Sequence, residues 1–182
     1  MTGPSQLIPD NSNFFQKLSS KQIPRSLFPE QKEFVDSDMV SHMCLAIPAE
    51  LFKKVGWENP DIISGTDPDL RYRVRQAGYR VGVVPECIAY HPMPDSLQKL
   101  LKLAFIKGSN SAIVRNQYPE LVFELDTGYN KEFSARKPFA FRILRHLWLT
   151  IFSLLSFKII YFLYNLFYIA GYIRGTFLKG VK

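Results

Sequence analysis

The chain has 182 residues, of which 47% are hydrophobic and 14% aromatic, so it is long enough for one domain with a real core and too apolar to be disordered. Its net charge of +7 is unevenly placed: residues 131–182 hold nine of the 23 Lys and Arg residues and one of the 16 acids, which leaves 14 basic and 15 acidic residues in 1–130. A nucleic-acid-binding body needs positive charge on its folded surface, so this distribution argues against nucleic acid as a partner.

The first 34 residues are rich in Pro, Ser, Asn and Gln. This composition predicts a mostly irregular segment with one short helix near Asn13–Leu18.

Two features bear on the compartment. The N-terminus lacks a charged region followed by an apolar one, so we expect no secretory signal peptide and a folded part that stays in the cytoplasm. Cys44 and Cys87 have no metal-binding spacing, which favours two reduced, buried thiols over the alternative of one disulfide.

The next elements follow from local pattern. The apolar run Val40–Pro48 has the length of a strand, and a helix of about two turns is predicted from Pro48 to a stop at Gly56. Pro68 suits the first position of a second helix, which would make Asp67 its N-cap and Gly78 its end.

Beyond that helix, whose predicted buried stripe is Leu70, Val74 and Ala77, the segments "YRVGVVP" and "CIAYH" predict two short strands. Asp95 or Ser96 is then placed to cap a long helix, "LQKLLKLAFIKGSNSAIVRNQ". Gly108 inside it predicts a kink or a close approach of another backbone.

The apolar run Leu147–Ile173 has no Pro or Gly before Gly171, so a continuous helix long enough to span a bilayer is feasible. Lys158 near its middle would cost a simple span about 2.5–3.5 kcal/mol. Because both flanks are basic, an interfacial helix or a tight helical hairpin is favoured over a plain span. We therefore expect association with membrane lipid, with a core helix of a soluble protein as the alternative.

One stretch, "AIPAELFKKVGWENPDIISGTDPDLRYRVRQAGYRVGVVPECIAYHP", resembles the acceptor-side half of family 2 glycosyltransferases, the rhamnosyltransferase-like group with the GT-A fold. The resemblance covers roughly residues 39–120, and "TGP" at Thr2–Pro4 looks like a further segment of such enzymes. The positions that carry it, in order, are Gly56-Trp57, Thr66-Asp67-Pro68-Asp69-Leu70, Arg73, Gly78-Tyr79, Pro85 and His91.

The resemblance implies inverting transfer of a sugar from a nucleotide-sugar to a cell-surface polysaccharide or glycolipid acceptor. A carboxylate takes the proton of the acceptor hydroxyl as that oxygen attacks the anomeric carbon, and a divalent metal (Mg or Mn) balances the charge of the leaving diphosphate. By position Asp67 would be the base, with a helix cap as its alternative role.

Three more residues receive roles from the resemblance. Asp69 would orient or contact the acceptor, or else be an exposed acid in the first helical turn. Arg73 would pair with a carboxylate of the site or lie on a solvated helix face. His91 would lie near the metal or diphosphate, or be structural.

The sequence departs from the family at two points. Thr66 replaces the usual Glu before the base, which puts activity or acceptor preference in doubt. The nucleotide-binding half with its Asp-x-Asp metal motif is missing, and Asp36-Ser37-Asp38 lies too close to Asp67 to be that motif, so a polar loop is the favoured interpretation.

The fold class predicted is therefore α/β, a partial GT-A fold without its nucleotide-binding half, followed by a C-terminal membrane-associated helical segment. The predicted divisions are an irregular segment (1–38), an acceptor-side glycosyltransferase subdomain (39–130) and a basic-flanked membrane-anchoring tail (131–182). Such a chain would be inactive without a donor-binding half. It would be a fragment of a longer reading frame, one part of a split enzyme completed by a partner chain, or a degenerate remnant. The alternative is a non-catalytic, membrane-anchored interaction protein or remnant that docks on a partner glycosyltransferase.

Overall fold

The computed structural model describes residues 1–23, 29–37, 40–62, 66–117 and 139–178. Its strands are β1 (Thr2–Leu7), β2 (Val35–Asp36) and β3 (Gly82–Tyr90). Its helices are α1 (Phe14–Gln22), α2 (Ala49–Lys54), α3 (Thr66–Gln76), α4 (Leu97–Gln117), α5 (Phe139–Leu155) and α6 (Ile159–Phe177). Within these ranges the protein is a mixed α/β fold, as the sequence predicts.

The chain divides into two compact units. The described residues of the first unit are 1–7, 29–37, 40–62 and 66–91, and those of the second are 8–23, 92–117 and 139–178. The predicted domain boundaries at residues 38 and 130 lie outside the described residues and stay predictions.

The sheet belongs to the first unit and has the order β1-β3-β2, with β1 parallel and β2 antiparallel to β3. The prediction of an irregular start was wrong at Thr2–Leu7, because this segment gains its backbone partners from β3, some 80 residues later in the chain. The short helix predicted just after it is confirmed as α1, whose N-cap Asn13 forms a capping box with Gln16.

The β1–β3 ladder is interrupted between Gly3 and Ser5. Each strand carries a proline at this point, Pro4 and Pro85, and proline has no N–H to donate to the ladder. Glu86 follows with a left-handed φ of 56°. The two strands predicted here are therefore one strand with an irregularity, rather than two.

The strand predicted at Val40–Pro48 does not form. Only isolated bridges occur along it, between Ser41 and Cys44 and between Thr2 and Ala46. Cys44 and Cys87 are both free but exposed, so the prediction of reduced thiols is confirmed and the prediction of their burial was wrong.

The core of the first unit forms around α3. Leu70 and Val74, one turn apart, are fully buried. They belong to a cluster whose other buried members are Met1, Val40, Leu51, Val81 and Val83. Burying a side chain of this size contributes roughly 1.5–3 kcal/mol, so these two positions fix which face of α3 points inward.

Two glycines act as the predicted helix stops. Gly56 after α2 has φ +87° and Gly78 after α3 has φ +84°, in the left-handed region that favours glycine. The predicted start of α3 was wrong by two positions, because the helix begins at Thr66 instead of Pro68 and Asp67 lies within its first turn instead of preceding it.

The second unit is organised by the contact of α4 with α6. Three glycines allow their backbones to approach: a Cβ added at Gly108, Gly171 or Gly175 would lie well inside 3.0 Å of a carbonyl oxygen on the other helix. Helix α4 has the bounds predicted from the sequence, and Gly108 marks a close approach.

Helix α1 is also tied into this unit. The Gln22 Oε1 atom accepts the backbone N–H of Ile160 at 2.9 Å, which satisfies a donor at the N-terminus of α6. Ile23 and Leu100 share a core cluster with Ile160 and Tyr161.

The C-terminal apolar run is not one helix. It breaks between α5 and α6 at residues 156–158, where Phe157 has a left-handed φ of 55°. The continuous helix that the apolar run allowed therefore does not form, and α5 packs against α6. In the part of the chain that the structure describes, no helix has the length and apolar character needed to cross a bilayer.

Candidate functional site

The Asp67 carboxylate lies on the first turn of α3 and is partly exposed, with a relative side-chain exposure of 33%. Its Oδ1 atom accepts the backbone N–H of His42 at 2.7 Å and also contacts the Nδ1 atom of the same histidine. His42, in the loop before α2, thus contacts Asp67 Oδ1 with both its backbone N–H and its ring Nδ1 atom.

The other ring nitrogen of His42 is also engaged. Its Nε2 atom lies 2.6 Å from the Oε1 atom of Glu58, in the loop that follows α2. Thr66 places its hydroxyl oxygen 3.4 Å from Nδ1. The imidazole therefore bridges two carboxylates that come from separate segments of the chain.

This arrangement favours the charged imidazolium. Burial acts to lower the pKa of His42, but the hydrogen bonds and charges of Glu58 and Asp67 outweigh it and raise the pKa above the usual 6.5. In that form both ring N–H groups donate, one to each carboxylate.

Neither His42 nor Glu58 is part of the motif that predicts the site. His42 is 25 residues before Asp67 and 16 before Glu58, so no local spacing relates the three. The only signal in the sequence was weak: Glu58 lies two residues after Gly56, the predicted stop of α2.

Asp69 and Arg73 form an ion pair one turn apart on α3. The Nε and Nη2 atoms of Arg73 donate to Asp69 Oδ2 at 3.0 and 2.7 Å, and its Nη1 atom donates to the carbonyl of Val55. Asp69 is 5% exposed, so the alternative of an exposed acid was wrong. Arg73 pairs with a carboxylate, and the predicted roles of both residues toward an acceptor stay predictions.

His91 follows β3 and is exposed, and its backbone N–H donates to the carbonyl of Leu7 at 2.8 Å. Among the described residues, no group of three or more His, Cys, Asp or Glu side chains is arranged to hold a metal ion. Asp36 pairs with Arg80 at 2.8 Å, while Asp38, the other acid of the Asp-Ser-Asp sequence, lies outside the described residues. The described residues do not fit a divalent metal, so we derive no step through one.

The second unit contains an open, mostly apolar cavity of about 650 Å³. None of the predicted site residues lines it. Its walls are formed by Leu97, Gln98, Leu101, Lys102, Phe105 and Phe167.

Comparison of the chain with protein-family models, with curated proteins and with solved structures finds no match in any of the three. The resemblance to family 2 glycosyltransferases therefore depends on the motif residues alone.

Proposed function

We propose that this chain is the acceptor-side part of an inverting family 2 glycosyltransferase with a partial GT-A fold. It would transfer a sugar from a nucleotide-sugar to a cell-surface polysaccharide or glycolipid. One observation carries the proposal: a partly exposed carboxylate, Asp67, is held at the start of α3 by His42, which Glu58 holds in turn.

The chemistry assigned to Asp67 is that of a general base. Both contacts from His42 go to Oδ1, so we assign Oδ2 to the acceptor hydroxyl. The acceptor proton passes to Oδ2 while the acceptor oxygen forms its bond to the anomeric carbon. The bond from that carbon to the diphosphate oxygen breaks, and the diphosphate leaves with the electron pair.

The neighbours of Asp67 have supporting roles in this proposal. The N–H groups of the first turn of α3 and the His42 imidazolium both place positive charge beside the Asp67 carboxylate. Glu58 fixes the orientation of the imidazole through Nε2. His42 is accordingly a positioning residue, since neither of its ring nitrogens is left to take the acceptor proton.

The donor would be bound by a nucleotide-binding half on the same or a partner chain, and the C-terminal helices would hold the protein at a membrane with its folded part in the cytoplasm. Basic residues flanking the apolar run support the attachment. Its test is sedimentation of membranes from cells that make the protein. Recovery in the supernatant would contradict the attachment and leave the chemistry of Asp67 untouched.

The test of the chemistry is Asp67→Asn. Membranes containing the variant and a donor-binding half are supplied with radiolabelled nucleoside diphosphate sugars, and label in polymer or lipid is counted. We expect transfer to fall by about 100-fold or more, the usual contribution of a general base. The matched control is Asp61→Asn, an exposed acid of the same unit, which should leave transfer unchanged.

The opposite result is equally informative. If Asp67→Asn membranes transfer sugar at the wild-type rate, Asp67 has only a structural role. The non-catalytic docking protein then becomes the better account of the chain.

A further inference from the structure

Helix α5 buries polar side chains and exposes apolar ones. The two described residues of α5 that are buried are both hydroxylic: Thr150 is 6% exposed and Ser153 is fully buried. Their hydroxyls donate to backbone carbonyls of α5 itself, at 2.7 Å to His146 and 2.8 Å to Thr150, so this side needs no water. The outward side carries the large apolar residues instead.

The outward residues form one stripe. Leu144, Trp148, Ile151 and Leu155 follow at spacings of four, three and four, and are between 54% and 72% exposed. At 1.5 Å per residue the stripe is about 16 Å long. Phe141 and Phe152, about half exposed, widen it. A continuous exposed apolar surface of this kind marks an interaction site in soluble proteins and membrane proteins alike.

We propose that this stripe, the lipid-facing stripe of α5, lies in the plane of an anionic bilayer surface and inserts its side chains below the headgroups. The proposal rests on the membrane attachment proposed above and deepens it by naming the helix, the mode and the lipid charge. It does not depend on the chemistry of Asp67.

Charge argues for lipid over a second copy of the chain. Residues 139–178 contain no Asp or Glu, and their Lys and Arg residues are Arg142, Arg145, Lys158 and Arg174. Two such surfaces brought face to face would place like charges together, whereas anionic headgroups complement them.

Length argues for an in-plane orientation. Helix α5 has 17 residues, about 25 Å, which is shorter than the roughly 30 Å hydrocarbon core of a bilayer. An exposed apolar stripe with basic residues near it in the chain matches the helices that bind in the interface. Trp148 in the middle of the stripe is a residue enriched at that depth.

The first experiment measures binding of the full chain to vesicles of phosphatidylcholine with phosphatidylglycerol, and to vesicles of phosphatidylcholine alone. The test variant is Leu144→Gln/Ile151→Gln/Leu155→Gln. We expect wild-type protein to prefer the anionic vesicles, and the variant to bind them about 100-fold more weakly, because three largely exposed aliphatic side chains no longer enter lipid.

The matched control removes three exposed aliphatic side chains from α4 and α6, as Ile106→Gln/Leu166→Gln/Ile173→Gln. It should bind close to wild type. Equal loss in both variants, or none in the α5 variant, overturns the assignment to α5. Circular dichroism checks that each variant is folded, and since every substituted position is exposed the fold should survive.

The second experiment measures depth. The chain has two tryptophans, so Trp57→Phe leaves Trp148 as the sole indole. We expect its emission to shift to the blue on vesicle binding and to be quenched best by lipids brominated near the headgroup. Best quenching from the bilayer centre, or self-association through the stripe without vesicle binding, overturns the proposal. Vesicle binding by Asp67→Asn protein is expected to be normal, so a failure of the proposed base and a failure of this inference give different results.

Discussion

Replacing Asp69 by Asn tests whether the Asp69–Arg73 pair is a structural element of α3. The Asp69 side chain is 7% exposed and accepts two N–H groups of Arg73, whose own side chain is 23% exposed. Breaking a fully buried pair costs about 3–5 kcal/mol and losing hydrogen bonds to a charged group about 1.5–3 kcal/mol. Arg73 keeps its contact with the Val55 carbonyl and some water, so we expect a loss near the lower range, about 2 kcal/mol.

The assay is urea unfolding followed by fluorescence. Trp148→Phe leaves Trp57, in the first unit, as the reporter, and the free energy of unfolding is compared in this background. Asp61→Asn, an exposed acid of the same unit, is the control and should change that free energy by less than about 0.5 kcal/mol. A double-mutant cycle with Arg73→Met should give a coupling of about 1–2 kcal/mol, because the second substitution removes the charge that the first leaves unpaired.

Two results would refute this reasoning. A free energy of unfolding for Asp69→Asn within about 0.5 kcal/mol of the parent would mean that the pair adds nothing to the fold. Additive effects of Asp69→Asn and Arg73→Met would mean that the two side chains do not act together. In either case the predicted role of Asp69 toward an acceptor would gain weight.

Two further predictions concern the His42 cluster and the α4–α6 contact. Since the folded-state pKa of His42 is raised, its pairing with Glu58 and Asp67 stabilises the protein fully below about pH 6.5, and this stabilisation is lost as the pH rises through the raised pKa. In urea titrations the difference in unfolding free energy between wild type and His42→Gln should therefore shrink with increasing pH. A difference that stays constant or grows would contradict this. Gly171→Ala should lower the free energy of unfolding by about 1–3 kcal/mol, because the new Cβ overlaps the Phe105 carbonyl oxygen, and this outweighs the roughly 1 kcal/mol that alanine gains in helix propensity. Thermal unfolding followed by far-UV circular dichroism measures the change. A stabilised variant would show that the two helices can separate at no cost.

The parts of the fold that could be predicted are those set by local sequence. Helix α4 has the bounds predicted from its sequence, and Gly56 and Gly78 end α2 and α3 because each takes a left-handed conformation there. The inward stripe of α3 follows from the spacing of Leu70 and Val74.

The parts that could not be predicted depend on contacts between distant residues. Strand β1 reads as turn sequence, with Gly3 and Pro4 in it, until β3 supplies its hydrogen-bond partners. Asp67 is singled out by its motif, but its contact with His42, and the contact of His42 with Glu58, form only after two loops are folded. No short-range pattern in the sequence encodes these contacts. The break in the apolar run at Phe157 could likewise not be predicted, because no Pro or Gly lies at that point of the sequence.

The cap that Gln22 provides to α6 has a consequence for how the protein is made. Gln22 and Ile160 are separated by 138 residues, so on the ribosome α1 emerges long before the helix that it caps exists. Until then Ile23 and Leu100 lack the partners of their core cluster. The described part of the first unit is complete at residue 91, whereas the second unit must wait for α6. The nascent chain therefore carries an unsatisfied apolar surface until α6 has emerged, and surface of this kind is what makes an incomplete fold prone to aggregation.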